Sequence, residues 1–169
     1  RARRPPPALD APPPMTAPLH ADHALAKKPR AHLPRRVQAL ASRGKRPGLA
    51  VVLVGEDPAS RIYVRNKVKA CADVGVQSEM LQMPASASEA ELLAQIDRLN
   101  ADAAIHGILV QMPLPRQINP ARVIEAIALA KDVDGFHLLS AGALVTGRIE
   151  GDRGVGYRPC TPYGVIAML

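Results

Sequence analysis

The run Leu49-Ala-Val-Val-Leu-Val-Gly55, followed almost at once by Asp57-Pro58, constrains the fold more than any other feature. Unbroken apolar residues rich in valine fit a strand buried on both faces, which is the mark of a parallel sheet. Glycine ends the run. Asp57 then offers a helix N-cap and Pro58 the first helical position, where a missing N–H goes unnoticed. A buried strand feeding directly into a helix is the first half of a crossover unit, because parallel neighbours need a long connection.

The pattern then repeats. The first helix of the body is expected to reach about Val74, with Gly75 stopping it. Val76 to Met83 reads as a second strand. Ser88-x-x-Glu91 is a capping box, and Leu92, Leu93, Ile96 and Leu99 give the following helix one apolar face. Ile105 to Gln111 is a third strand running into Pro113-Leu-Pro115, and Asn119-Pro120 opens a third helix through about Leu129. The order predicts an α/β fold: a three-layer parallel sheet with flanking helices and right-handed crossovers. From Lys131 to Tyr157 the texture is glycine-rich and loop-like. Thr161-Pro162 starts another helix, with Val165, Ile166 and Leu169 following. It stops in mid-pattern, and a further segment is expected after it.

The front end is different in kind. Residues 1–46 hold eleven Lys/Arg and two Asp/Glu, so the formal +7 of the chain resolves into +9 there and −2 over residues 47–169. Nine of the seventeen prolines fall in the first 34 residues. Residues 1–18 read as a disordered Pro/Arg-rich tail, with Met15 a candidate start, and residues 19–46 as an interrupted helical segment. In that segment Leu25, Leu33, Val37 and Leu40 keep a helical spacing, but Pro29 and Pro34 predict a broken helix that is firm only after Pro34. The body spans residues 47–160, and residues 161–169 begin a helix between domains.

Composition removes several function classes. The stretch Leu49–Val54 is far too short to cross a bilayer, so no membrane association is expected. Cys71 and Cys160 lie far apart without a C-x-x-C, which supports neither a disulfide framework nor a zinc site and suits a reducing cytoplasm. With the basic surplus confined to the tail and almost no Phe or Trp, nucleic-acid binding is not expected. Gly154-Val-Gly156 does not complete a dinucleotide fingerprint, and no phosphate-binding loop occurs, so no cofactor-binding residues are assigned.

Three positions break the pattern. On a helical projection of residues 61–74, Arg61, Arg65, Asn66, Lys69 and Asp73 share one side. Tyr63 and Lys67 fall, one turn apart, inside the opposite, apolar arc. An ammonium there is costly to desolvate: either Lys67 reaches the helix edge and Tyr63 is core, or Lys67 is a proton carrier. Gln111 ends an apolar strand between Val110 and Met112, at the carboxyl edge where parallel sheets bind ligands. Its amide either caps the Pro113-Leu-Pro115 turn or meets a substrate or the lysine. Asp132-Val-Asp134-Gly135 reads as a turn, and its two carboxylates lack further ligands for a metal. His106 and His137 read as structural.

Taken in order, Pro47-Gly-Leu-Ala-Val-Val-Leu-Val-Gly-Glu-Asp-Pro-Ala-Ser60, Tyr63-Val-Arg-Asn-Lys67-Val-Lys-Ala-Cys71, Gly107-Ile-Leu-Val-Gln-Met-Pro-Leu-Pro115, Lys131-Asp-Val-Asp-Gly-Phe-His137 and Pro159-Cys-Thr-Pro162 resemble one family. It is the bifunctional methylenetetrahydrofolate dehydrogenase/methenyltetrahydrofolate cyclohydrolase family, in its N-terminal folate-binding domain. The resemblance implies oxidation of 5,10-methylenetetrahydrofolate with NADP and hydrolysis of the methenyl product to 10-formyltetrahydrofolate. It further implies that Lys67 mediates proton transfer in the hydrolysis, Tyr63 stacks on the folate, Gln111 tunes the lysine and Asp134 holds the pterin. Val110 and Met112 would line the substrate site beside them. The resemblance also implies a homodimer and a following Rossmann domain with the NADP site; neither is expected of these 169 residues alone. The expectations are therefore an enzyme of tetrahydrofolate interconversion or, alternatively, a non-catalytic folate-binding or interaction module, or residual cyclohydrolase alone. Departures are His20-Ala-Asp-His23 with Pro29 and Pro34 in place of an unbroken first helix, and Leu138-Leu-Ser140 after His137.

Overall fold

The strand–helix alternation is realised in a computed structural model of the chain, which describes residues 22–149 and 156–168. The disordered tail expected over residues 1–18 lies outside them. Helix α1 spans Asp22–Ala41, strand β1 Gly48–Val54, helix α2 Pro58–Val74 and strand β2 Gln77–Met83. Helix α3 (Glu89–Ala101), strand β3 (Gly107–Val110) and helix α4 (Pro120–Ala126) follow, then helices α5 (Leu138–Val145) and α6 (Cys160–Met168). The three strands are parallel in the order β2-β1-β3, so the first strand in sequence is the central one.

Valines and leucines of β1 alternate between two cores, as a strand buried on both faces requires. Ala50, Val52 and Val54 pack with Ile108 and Val110 against Leu92, Ile96, Leu99 and Val123 from α3 and α4. Val51, Leu53 and Leu109 face the other way, onto Val64 and Val68 of α2. The layers are therefore α2, sheet, and α3 with α4. Past β3 a parallel bridge between Ile108 and Asp132 carries the sheet one residue pair further, toward the site.

Chain ends of the helices follow the expected chemistry. The Asp57 carboxylate accepts from Ser60 N at 2.7 Å, and Gly75, at φ 84°, closes α2. Ser88 and Glu91 complete a reciprocal capping box at α3.

The structure corrects the sequence reading at three elements. Helix α1 runs unbroken through Pro29 and Pro34. Each proline removes one intrahelical bond, a local loss that the helix absorbs where Leu33 and Val37, one turn apart, half-bury against the body. Helix α4 ends at Ala126 rather than about Leu129. The Asn100 side chain binds Ala126 O (2.7 Å) and Ala128 N (2.9 Å), and a 3-10 turn over Leu129–Lys131 follows. Lys131 Nζ then donates to the carbonyls of Leu99, Asn100 and Asp102 at 2.8–2.9 Å, which fills the open C-terminus of α3. The expected loop from Lys131 to Tyr157 contains α5. Its buried residues are Ser140 and Ala143 while Leu138, Leu139, Leu144 and Val145 are exposed, the reverse of an amphipathic pattern.

His106 and His137, which read as structural, each accept a backbone amide. His106 Nδ1 accepts from Gly48 N (3.1 Å), and His137 Nδ1 from Leu139 N (3.1 Å) as the N-cap of α5.

Candidate functional site

Side chains from three parts of the fold meet at the carboxyl edge of the sheet. Lys67 comes from the middle of α2, Gln111 from the residue after β3, and Asp134 from the turn beyond the Ile108–Asp132 bridge. They line a cleft of about 170 Å3 with Val110, Met112, Phe136, Cys160 and Thr161. Lys67 Nζ donates to Gln111 Oε1 at 3.2 Å, and Gln111 Nε2 donates to Met112 O at 2.8 Å. The amide thus holds the ammonium with one end and the strand terminus with the other, so both readings of Gln111 apply. Among the described residues Lys67 has no carboxylate within 4 Å.

Tyr63 departs from the apolar arc drawn for it. It is 61% exposed, one turn before Lys67, and does not line the cleft. The arc holds for Val64, which is buried, and for Val68, Ala70, Cys71 and Val74, which are half-buried. A helix covering only part of a sheet face buries a narrower stripe than its full apolar arc.

Asp134 is half-buried, and desolvation pushes its carboxyl above the usual carboxylate range. The Lys67 charge opposes that shift and the Asp132 charge adds to it. Burial also raises the Cys160 thiol, helped by Asp134 and opposed by Lys67. The sequence reading did not single out Phe136, Cys160 and Thr161 as cleft residues. Their signals were the Lys131–His137 segment for Phe136 and Pro159-Cys-Thr-Pro162 for the other two, and spacing alone does not place either opposite Lys67.

Larger spaces lie nearby, and their linings are mostly apolar. A groove of about 660 Å3 shares Lys67, Asp134 and Cys160 with the cleft and runs along Leu109, Val133 and Val74 to Leu33. Another, of about 580 Å3, lies between α2 and β2 beside Ile62 and Met80. Volume alone would favour these, but the small cleft holds a lysine hydrogen-bonded to an amide beside a half-buried carboxyl, and the groove backs it.

No group of three or more His, Cys, Asp or Glu suited to a metal occurs among the described residues. At the β1–α2 turn the Asp57 carboxylate already takes the Ser60 amide at the helix N-terminus, which puts a negative charge where a dinucleotide phosphate would sit. No described helix is long and apolar enough to cross a membrane.

The lysine–amide pair and the partly buried carboxyl stand at the carboxyl edge of a parallel sheet, where open α/β sheets bind their ligands. The family described as "Tetrahydrofolate dehydrogenase/cyclohydrolase, catalytic domain" matches residues 21–134, and the chain belongs to that family. A relative from Polaromonas sp. (strain JS666 / ATCC BAA-500), Bifunctional protein FolD, is 59% identical over 155 residues, 92% of this chain and 53% of that protein. The crystal structure of the bifunctional FolD enzyme from Campylobacter jejuni superposes with a TM-score of 0.82 at 43% identity, covering 88% of this chain and 51% of that one. The Trypanosoma brucei FolD structure, complexed with NADP cofactor and inhibitor, gives 0.79 at 33% identity, with 86% and 48% covered. The chain thus spans about half the length of the relatives it matches.

Proposed function

We propose that this chain supplies the folate side of a methylenetetrahydrofolate dehydrogenase/methenyltetrahydrofolate cyclohydrolase site, within residues 47–160. The observation that carries the reading is the Lys67–Gln111 pair at 3.2 Å, set opposite Asp134 in one cleft. Asp134 accepts from the amino and ring N–H groups of the pterin. Tyr63, exposed one turn away, offers its ring for stacking against the folate, and Val110 and Met112 line the floor.

For hydrolysis, water adds to the methenyl carbon, forming the new C–O bond. Lys67 in its neutral form takes the proton the water loses. It then passes that proton to N5 as the C–N5 bond breaks and leaves the formyl group on N10; the second proton of the water goes to solvent. Gln111 keeps the amine on this path by accepting from it. In the dehydrogenase reaction NADP, when bound, supplies the hydride acceptor. The residues of the cleft orient the methylene group toward it, and no hydride step is assigned to them.

The test is hydrolysis of 5,10-methenyltetrahydrofolate by the chain and by Lys67→Met. The wild type is expected to exceed the buffer rate and Lys67→Met to fall by about a hundredfold or more, while still binding tetrahydrofolate. Equal rates for both, with binding intact, would leave a folate-binding module. Loss of binding in the wild type would overturn the reading.

A further inference from the structure

Asp132 is the least exposed carboxylate of the molecule's described part, at 2%, yet it touches no substrate cleft. Its two oxygens collect three donors. Oδ1 accepts from Gly135 N at 3.1 Å, while Oδ2 accepts from His137 N at 2.9 Å and Ser140 Oγ at 3.3 Å. The residues enclosed by these bonds include Asp134 and Phe136, both of which line the cleft.

The same bonds reach the opposite wall. Ser140, fully buried, sits where a Cβ on Gly156 would come within 2.3 Å of its Oγ. A Cβ on Gly135 would come within 2.5 Å of Tyr157 O. These two approaches leave no room for a side chain at either glycine, so the 132–140 loop and the chain from Gly156 pack closely together; positive φ at Gly135 (71°) and Gly156 (75°) also favours glycine there. That second segment carries Cys160 and Thr161 into the cleft, and Cys160 Sγ donates to Val133 O at 3.4 Å.

We infer that Asp132 is a positioning residue of the folate site: one buried carboxylate fixes the Asp134 turn and, through Ser140, seats the Gly156–Thr161 wall against it. An acceptor-only group is required there. In Asp132→Asn either placement of the amide turns an N–H toward a backbone N–H, of Gly135 or of His137. The isosteric change therefore releases the turn without opening a cavity. The inference rests on the proposed folate reading for its ligand, but the clamp itself can be measured apart from it.

Two measurements on the whole chain decide the matter, with tetrahydrofolate as probe. In Asp132→Asn, amide exchange at Gly135 and His137 should rise by about tenfold or more while amides of β1 and β3 stay protected. The dissociation constant for tetrahydrofolate should rise about tenfold to a hundredfold at unchanged binding stoichiometry. A purely structural loss gives the opposite split: fewer competent sites at unchanged affinity, which would overturn the inference. Ser140→Ala, which deletes one donor of three, should move both readouts in the same direction by a smaller factor, and covers a poorly folding Asp132→Asn. Wild-type protein that fails to bind tetrahydrofolate would sink the folate reading, and exchange at Gly135 and His137 would still uphold or overturn the clamp. Faster exchange with unaltered affinity in both variants would show that Asp132 does not position Asp134.

Discussion

At the scale of single residues, Asp134 is held partly out of water, and the fold pays for keeping it there. Burial raises its folded pKa above the unfolded value, so the folded state binds the proton more tightly. The stability contributed by this group is complete below the ordinary carboxylate range and is lost as pH rises through the raised value. Asp134→Asn is therefore expected to melt higher than wild type at neutral pH, with the difference shrinking on acidification. Thermal melts of both proteins across that window check the sign. A difference that grows toward acid would contradict it. The two acids of Asp132-Val-Asp134 also mark a limit of sequence reading. A turn signal tells that two carboxylates alternate, but not which one turns inward to gather three donors. Lys67 and Gln111 were legible for the opposite reason: each is a polar residue in an apolar pattern, and such a residue needs a partner. Tyr63 misled because its place on the helical wheel says nothing about where the sheet ends.

At the scale of elements, local end signals read most reliably. Asp57-Pro58, Gly75, Ser88-x-x-Glu91 and Asn119-Pro120 all stand at helix ends, because each satisfies backbone groups of its own turn. Ser88→Ala should destabilise the protein by about 1 kcal/mol through α3, read as a shift in denaturation midpoint with unchanged slope. What did not read was anything fixed by distant chain. The early end of α4 depends on Asn100 reaching from α3 to Ala126 and Ala128, and on Lys131 reaching back to the end of α3. Helix α5 hides its small residues and exposes its leucines, since what it packs against is the Asp132 loop through Ser140. The continuity of α1 is settled by packing rather than by proline propensity.

At the scale of the whole molecule, stability rests on two cores that share one sheet. Ile96, fully buried in the larger core, links α3 to β1 and β3. Ile96→Ala should cost about 2–5 kcal/mol, whereas Val37→Ala, at a half-buried contact of α1, should cost well under half as much. Urea unfolding of both variants checks the ranking, and comparable losses would mean that α1 belongs to the same cooperative unit as the sheet.

The central place of β1 bears on how the chain leaves the ribosome. After α1, the β1–α2–β2 unit emerges, and α2 at once covers Val51 and Leu53. Ala50, Val52 and Val54, on the reverse side, have no helix to meet until α3 begins fifteen residues after α2 ends, on the order of one to three seconds of synthesis. For that interval the nascent chain presents a bare aliphatic surface flanked by unpaired strand edges. Chaperone capture during translation is therefore to be expected between β2 and α3, and a pause in translation there would lengthen the exposure.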